Sequence, residues 1–201
     1  MEFYQLSYDM DLIDELIKID ENYIYAETTN IDKVESEKTK KGYFDNIVLK
    51  PNFDEKWPNI EFYYSSKVST KESDYLLNVK RWPIVRVNVC EKLKEEAVNG
   101  LRFYPIKLID VVSKKVNENY YLIYIDNFID AFDMQKSRYK YNEKYNYYTF
   151  IPRQTYLNKE ICSNYDIFRC IKSVAAIYVS EKFKKIVEEN NWCGFHFEKQ
   201  D

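Results

Sequence analysis

The sequence predicts an α+β fold, mainly antiparallel sheet with a few short amphipathic helices. Three observations predict it. Runs of β-branched and aromatic residues, bounded by glycine, proline and asparagine, outnumber segments of helical period. A hexapeptide recurs: Val89-Cys90-Glu91-Lys92-Leu93-Lys94 returns ninety positions later as Val179-Ser180-Glu181-Lys182-Phe183-Lys184. Each copy follows a β-run and leads through a helical stretch to a glycine and an alternating strand, Gly100-Leu101-Arg102-Phe103 and Gly194-Phe195-His196-Phe197. The chain therefore carries two similar strand-helix-strand units.

Taken in order, Phe3 to Tyr8 alternates as a strand. Asp11 to Ile19 sets Leu12, Ile13, Leu16 and Ile17 at helical spacing, with Asp9 or Asp11 able to cap. Tyr23 to Glu27 reads as a strand, and Thr28 to Lys41 as loop or surface helix. Ile60 to Ser65, Tyr75 to Val79 and the run after Pro83 are strands. Asn88 or Cys90 precedes the first repeat helix, and Asn99-Gly100 stops it, both residues tolerating a left-handed backbone. Leu101 to Val112 and Tyr120 to Ile125 are strands, and Phe128 to Ser137 reads as a short helix. Tyr147 to Ile151, Ile167 to Ile171 and Val174 to Val179 are strands. Ser180 is a strong N-cap, with Phe183, Ile186 and Val187 as the apolar stripe of the second helix.

At 201 residues the chain fits one domain, or a core at 73–201 with an acidic strand and helix region at 1–72 packed on it. A chain of this size buries roughly 70% of its unfolded surface, enough for a core without staples. With 45% hydrophobic and 17% aromatic residues, general disorder is excluded. The start has no positive, then apolar, leader, and no uncharged apolar run spans a bilayer, which points to the cytoplasm. Cys90, Cys162, Cys170 and Cys193 show no paired spacing and read as small buried hydrophobes.

Charge is unevenly placed. Net charge is −3, yet residues 1–40 hold eleven acids and four lysines, while the rest is net positive at +4. The densest acidic group is Asp9, Asp11, Asp14 and Glu15, with Asp20 and Glu21 beyond. It lacks the glycine turn and closing glutamate of a calcium loop. It reads either as a solvated helix face or as a docking face for a basic protein.

Catalytic and cofactor signatures are sparse. The glycines, Gly42, Gly100 and Gly194, are too far apart for a phosphate loop. His196, the single histidine, alternates with two phenylalanines and points to solvent. No Cys/His spacing supplies a zinc site, so no metal or cofactor is expected. An enzyme whose acids converge only in the fold stays an alternative.

The stretch from Lys136 to Tyr148 interleaves cations and rings: Arg138, Tyr139, Lys140, Tyr141, Lys144 and Tyr145. Tyr139, Tyr141, Tyr145 and Tyr147 all fall on odd positions, hence on one face of an extended segment. Rings with interleaved cations are the chemistry of single-stranded nucleic-acid binding. The plainer reading is a tyrosine-faced hairpin with asparagines at its bend, and the overall acidity disfavours nucleic acid.

An ordered set of short elements runs from Asp74-Tyr75-Leu76-Leu77-Asn78 through Phe103-Tyr104-Pro105-Ile106 and Asp130-Ala131-Phe132-Asp133 with Lys136-Ser137. It continues with Phe168-Arg169 and the Ser180-Glu181 to Phe197 segment. This order resembles the bacterial immunity proteins of polymorphic toxin systems, specifically immunity family eleven. The resemblance covers Ser73 to Phe197 and leaves residues 1–72 outside. Cys90 departs from it where a capping serine fits better. It implies a cytoplasmic, non-catalytic protein that binds and neutralises a cognate toxin domain by occlusion. The resemblance does not locate the binding face; the net charge of −7 over residues 1–40 leads to the expectation that the acidic segment from Asp9 to Glu21 faces a basic toxin, such as a nuclease.

Overall fold

The computed structural model describes residues 1–10, 23–31, 34, 47–51, 53, 56–151 and 153–200. The described strands are β1 (Phe3–Tyr8), β2 (Tyr25–Ala26), β3 (Thr28–Thr29), β4 (Glu61–Tyr64), β5 (Tyr75–Asn78), β6 (Ile84–Arg86), β7 (Leu101–Asp110) and β8 (Val116–Ile125). They continue with β9 (Phe128–Ile129), β10 (Tyr139–Asn142), β11 (Tyr147–Phe150), β12 (Ile167–Cys170), β13 (Ser173–Ser180) and β14 (Phe195–Gln200). Among the described residues three α-helices accompany them: α1 (Val87–Glu95), α2 (Lys159–Cys162) and α3 (Glu181–Glu189). The expected mixed α+β class, mainly antiparallel, is what forms.

Strand alternation sorts the apolar residues into three clusters. A seven-stranded sheet runs β2-β5-β6-β8-β7-β4-β3, and a five-stranded sheet runs β14-β1-β13-β12-β9. Side chains of one parity, Tyr75, Val85, Ile123 and Ile125 from the first sheet and Tyr4, Leu6, Ile177 and Val179 from the second, share a core with both long helices. The opposite parity of the first sheet, including Leu76, Ile84, Leu122 and Tyr124, packs under Ile24, Ile31 and Phe53 from the N-terminal region. The opposite parity of the second, Phe3, Phe168, Cys170 and Tyr178, packs under Phe132, Leu157 and Cys162. Leu93 and Phe183 are fully buried in the shared core, each contributing roughly 2–3 kcal/mol by burial.

Both predicted units are split β-α-β arrangements. In the first, β6 and β7 are bridged by α1, and β8 lies between them, antiparallel to both. In the second, β13 and β14 are bridged by α3, and the strand between them is β1, from the other end of the chain. The middle strands finish alike: Asp126 N–H donates to Gly100 O at 2.8 Å, and Asp9 N–H to Gly194 O at 3.0 Å.

The correspondence continues atom by atom, at a different offset from the hexapeptide. Asp74 O accepts Arg86 N–H at 3.0 Å, and Asp166 O accepts Ser180 N–H at 2.8 Å. Two residues on, Asn88 Nδ2 donates to Asp74 Oδ1 and Lys182 Nζ to Asp166 Oδ2, both at 3.3 Å. Each helix ends in one left-handed residue, Ala97 (φ +50°) and Asn191 (φ +52°). The next N–H reaches back five residues, from Val98 to Leu93 O at 3.0 Å and from Trp192 to Val187 O at 3.2 Å, a Schellman closure. Arg86 with Ser180, Ala97 with Asn191 and Gly100 with Gly194 all give an offset of 94. The hexapeptide's offset of ninety is thus four residues, about one helical turn, out of step. Its first copy lies inside α1; its second starts at the end of β13.

Two local expectations are corrected. The first helix starts at Val87, not after Asn88 or Cys90; Arg86 holds the N-cap position with no side-chain cap. Asp74 does the anchoring there instead, so Cys90 is a buried helix-interior residue and not a missing cap. Phe128 to Ser137 is not a helix. Phe128 and Ile129 pair in parallel with Arg169 and Cys170, Phe132 bridges to Leu157, and only one turn forms, closed by Ser137 N–H to Asp133 O at 2.9 Å. Sheet pairing across the chain outweighs the local helical pattern.

Candidate functional site

The basic aromatic stretch folds as the β10–β11 hairpin, a two-stranded sheet of its own. Asparagines make its bend, as expected. Asn142 Oδ1 accepts Tyr145 N–H at 3.3 Å, residues Glu143–Tyr145 form one 3-10 turn, and Asn146 is left-handed at φ +47°. That turn changes the parity. Tyr141 lies opposite Tyr148 and Tyr139 opposite Phe150, so these four rings share one face. Tyr147 lies opposite Asn142 on the other face, and Tyr145 sits in the turn. The expected single row of Tyr139, Tyr141, Tyr145 and Tyr147 is therefore corrected.

The four rings form a ladder. Centroids are 4.7 Å apart for Tyr141–Tyr148, 5.5 Å for Tyr139–Tyr148 and 5.7 Å for Tyr139–Phe150. At the base, Phe150 meets Phe132 at 4.3 Å and joins the outer core of the five-stranded sheet. Tyr139, Tyr141, Tyr145 and Tyr147 are 38, 45, 68 and 58% exposed. Arg138, Lys140 and Lys144 are exposed and make no ion pair among the described residues. Lys144 Nζ lies 5.2 Å from the Tyr145 ring. Lys172, in the β12–β13 turn, pairs with Asp130 and stands 5.9 Å from the Tyr148 ring.

Between the two sheets opens a groove of about 930 Å³, lined by Tyr8, Met10, Tyr23, Tyr25, Val79, Ala175 and Ile177 among others. The Tyr8 hydroxyl is buried, with no hydrogen-bond partner among the described residues. Nearby Ser73 Oγ is committed to Tyr75 O at 2.9 Å. Burial pushes the Tyr8 phenol up to about 12. Of the acidic candidates, Asp9 follows β1 at this end. Asp11, Asp14, Glu15, Asp20 and Glu21 lie outside the described residues.

Among the described residues no group of three His, Cys, Asp or Glu side chains could hold a metal ion, and no helix is long and apolar enough to cross a membrane. His196 is exposed on β14, and Cys90, Cys162 and Cys170 are buried free thiols. Burial pushes the thiols of Cys90 and Cys162 up to about 12, leaving them unreactive.

Sequence reasoning missed Tyr148 and Phe150 as partners in the ladder; the paired Asn142 and Asn146 were the signal that the strand direction reverses through an extra turn. Arg169, quoted above in the Phe168-Arg169 element, is 2% exposed on the face of β12 shared with Ile167. Its Nη1 donates to Val174 O at 2.7 Å and Ala175 O at 3.0 Å, and its Nε has no partner among the described residues.

These features define an α+β protein of two interlocked split β-α-β units that displays rings and cations at one end. The chain belongs to the immunity protein family Imm11, whose family model matches residues 3–201. The match extends beyond the Ser73 to Phe197 span of the motifs and takes in the N-terminal region, as the place of β1 inside the second unit requires. No curated protein matches the chain.

Proposed function

We propose that this immunity protein acts in the cytoplasm by binding a cognate toxin domain and covering its active site or an adjacent surface. The observation that carries the reading is the family match across residues 3–201. Occlusion needs no catalytic group, only a stable interface, and about 1,600 Å² of total buried surface suffices. The acidic stretch from Asp9 to Glu21 is the part suited to steer encounter with a basic toxin, since complementary charge raises association rates. The test is co-expression with the toxin domain encoded beside this gene. Rescue of growth together with co-purification supports the reading; failure of both overturns it for that pair.

A further inference from the structure

We infer that the β10–β11 hairpin is the anchor of the interface, docking its exposed tyrosines and lysines against an acidic patch on the toxin domain; this rests on the toxin-binding reading above. Four observations converge on it.

The first is exposure. The uncovered parts of Tyr139, Tyr141, Tyr145 and Tyr147 amount to about two whole tyrosines, roughly 400 Å². That is half of one partner's share of a standard interface, about 800 Å². Tyrosine is a preferred anchor residue, because it offers a large rigid area at a low entropic cost.

The second is rigidity. A free two-stranded hairpin is marginal in water. This one is fixed at its base by the Phe150–Phe132 contact, by Ile151 N–H to Arg138 O at 3.0 Å and by Arg138 N–H to Gln154 O at 2.8 Å. The exposed rings are thus presented on a held support.

The third is charge. Lys92, Lys172, Lys182, Lys184 and Lys199 are each paired with a carboxylate. On the hairpin, Arg138, Lys140 and Lys144 have no carboxylate partner among the described residues, and residues 136–150 hold four bases and one acid, a net of +3. Exposed cations with no carboxylate paired to them, set beside exposed rings, suit a negative surface.

The fourth is position. Lys172 links the ladder to the β12–β13 turn, the end of the five-stranded sheet at which the Tyr8 groove opens.

A protein fits better than single-stranded nucleic acid. The ladder rings lie against one another, Tyr139 and Tyr148 at 63° and Tyr141 and Tyr148 at 4.7 Å, so no gap between them admits a base. Tyr147 stands on the opposite face. Proteins offer side-chain pockets to rings on two faces; a strand of nucleotides needs successive stacking platforms.

The experiment compares the full chain with two variants, Tyr145→Ser/Tyr147→Ser and Lys140→Glu/Lys144→Glu. None of these residues belongs to the four-ring ladder, and thermal midpoints within a few degrees of wild type certify folding. The probe is the adjacent-gene toxin domain, inactivated, measured by surface binding kinetics at two salt concentrations. A labelled thymidine oligonucleotide runs alongside. Wild type binds the toxin; the tyrosine variant loses at least tenfold in affinity, and the charge variant associates more slowly, with a weaker dependence on salt. Wild-type binding with both variants within threefold of it overturns the inference and leaves the function standing. Absence of wild-type binding overturns the toxin-binding reading, and this inference with it. Steeply salt-dependent oligonucleotide binding, lost in the variants while toxin binding is unchanged, assigns the hairpin to nucleic acid and overturns it as well.

Discussion

Replacing Arg169 by methionine is expected to leave stability nearly unchanged, although the side chain is buried and makes two hydrogen bonds. Burial pushes its guanidinium down to about 10, and no carboxylate pairs with it among the described residues. That displacement corresponds to roughly 3 kcal/mol of destabilisation carried at neutral pH. The bonds to Val174 O and Ala175 O offset it, at about 1.5 kcal/mol each for a charged donor. Methionine removes both terms and keeps the volume, so Arg169→Met should change unfolding free energy by less than about 1 kcal/mol. The pH dependence gives a second readout. The folded state disfavours the protonated guanidinium, so above about pH 10 and up to the ordinary guanidinium range the unfolded chain binds more protons and wild type gains stability as pH rises. The methionine variant lacks that gain. Urea denaturation of both proteins near pH 7 and pH 11 measures the difference. A loss above about 3 kcal/mol at pH 7, with a gap that does not move with pH, refutes the reasoning, because it requires a compensated charge.

Three further outcomes are expected. Asp110 is buried; burial raises its carboxyl, but hydrogen bonds from Ser113, Ser66 and Val112 outweigh this and hold it well below the usual carboxylate range. Its stabilisation is present above the ordinary carboxylate pKa and is lost as pH falls, so Asp110→Asn should flatten the acid side of the thermal midpoint curve; an unchanged acid slope counts against it. Gly194→Ala should cost more than about 2 kcal/mol, from a left-handed backbone plus a Cβ that meets Tyr75 backbone O at 2.5 Å. Gly100→Ala should cost less, since the nearest group is the Asn127 side chain, which can swing away from Ile167 O; equal losses in urea would show that the backbone contact does not decide. Reversing Asp11, Asp14 and Glu15 to lysine should slow toxin association and reduce its dependence on salt, and an unchanged rate removes the steering role.

Local patterns were legible where local physics decides. β1 was read at its full length because alternation over six residues has one interpretation. Ser180 was read as a cap because hydroxyl geometry at a helix start is local, and it does accept Phe183 N–H at 3.3 Å. Arg86 could not be read, since its helix is anchored by Asp74, twelve residues upstream across a hairpin. The tyrosine hairpin was legible from its composition and asparagines, but the distribution of rings over its faces was not. One 3-10 turn reverses the odd-even rule, and nothing in the tyrosine spacing encodes that turn. The burial of Arg169 was hidden for a different reason. A charged residue in a strand reads as solvent-facing, and only the register of β12 against β13 turns it inward.

The interlocking of the units ties β1 to the far end of the chain. A split β-α-β unit is incomplete until a third strand enters between its two parallel strands. The first unit takes β8, the next strand in the chain, so it closes by a short-range step. In the second, β1 fills the place, paired through Phe3 with Ser180 on one side and Gln200 on the other. A sequence pattern names a strand but not its partner, and this pairing spans nearly the whole chain. Its consequence reaches the candidate site. Because β1 runs antiparallel to β13 and pairs Leu6 with Ile177, it ends at Tyr8 toward the β12–β13 turn that carries Lys172. The acidic stretch that begins at Asp9 therefore starts at the end of the sheet where the basic hairpin is held. With the acidic stretch and the basic hairpin both proposed as contacts, the toxin surface needs both signs, and a toxin face with only one sign would engage the acidic stretch or the hairpin, not both.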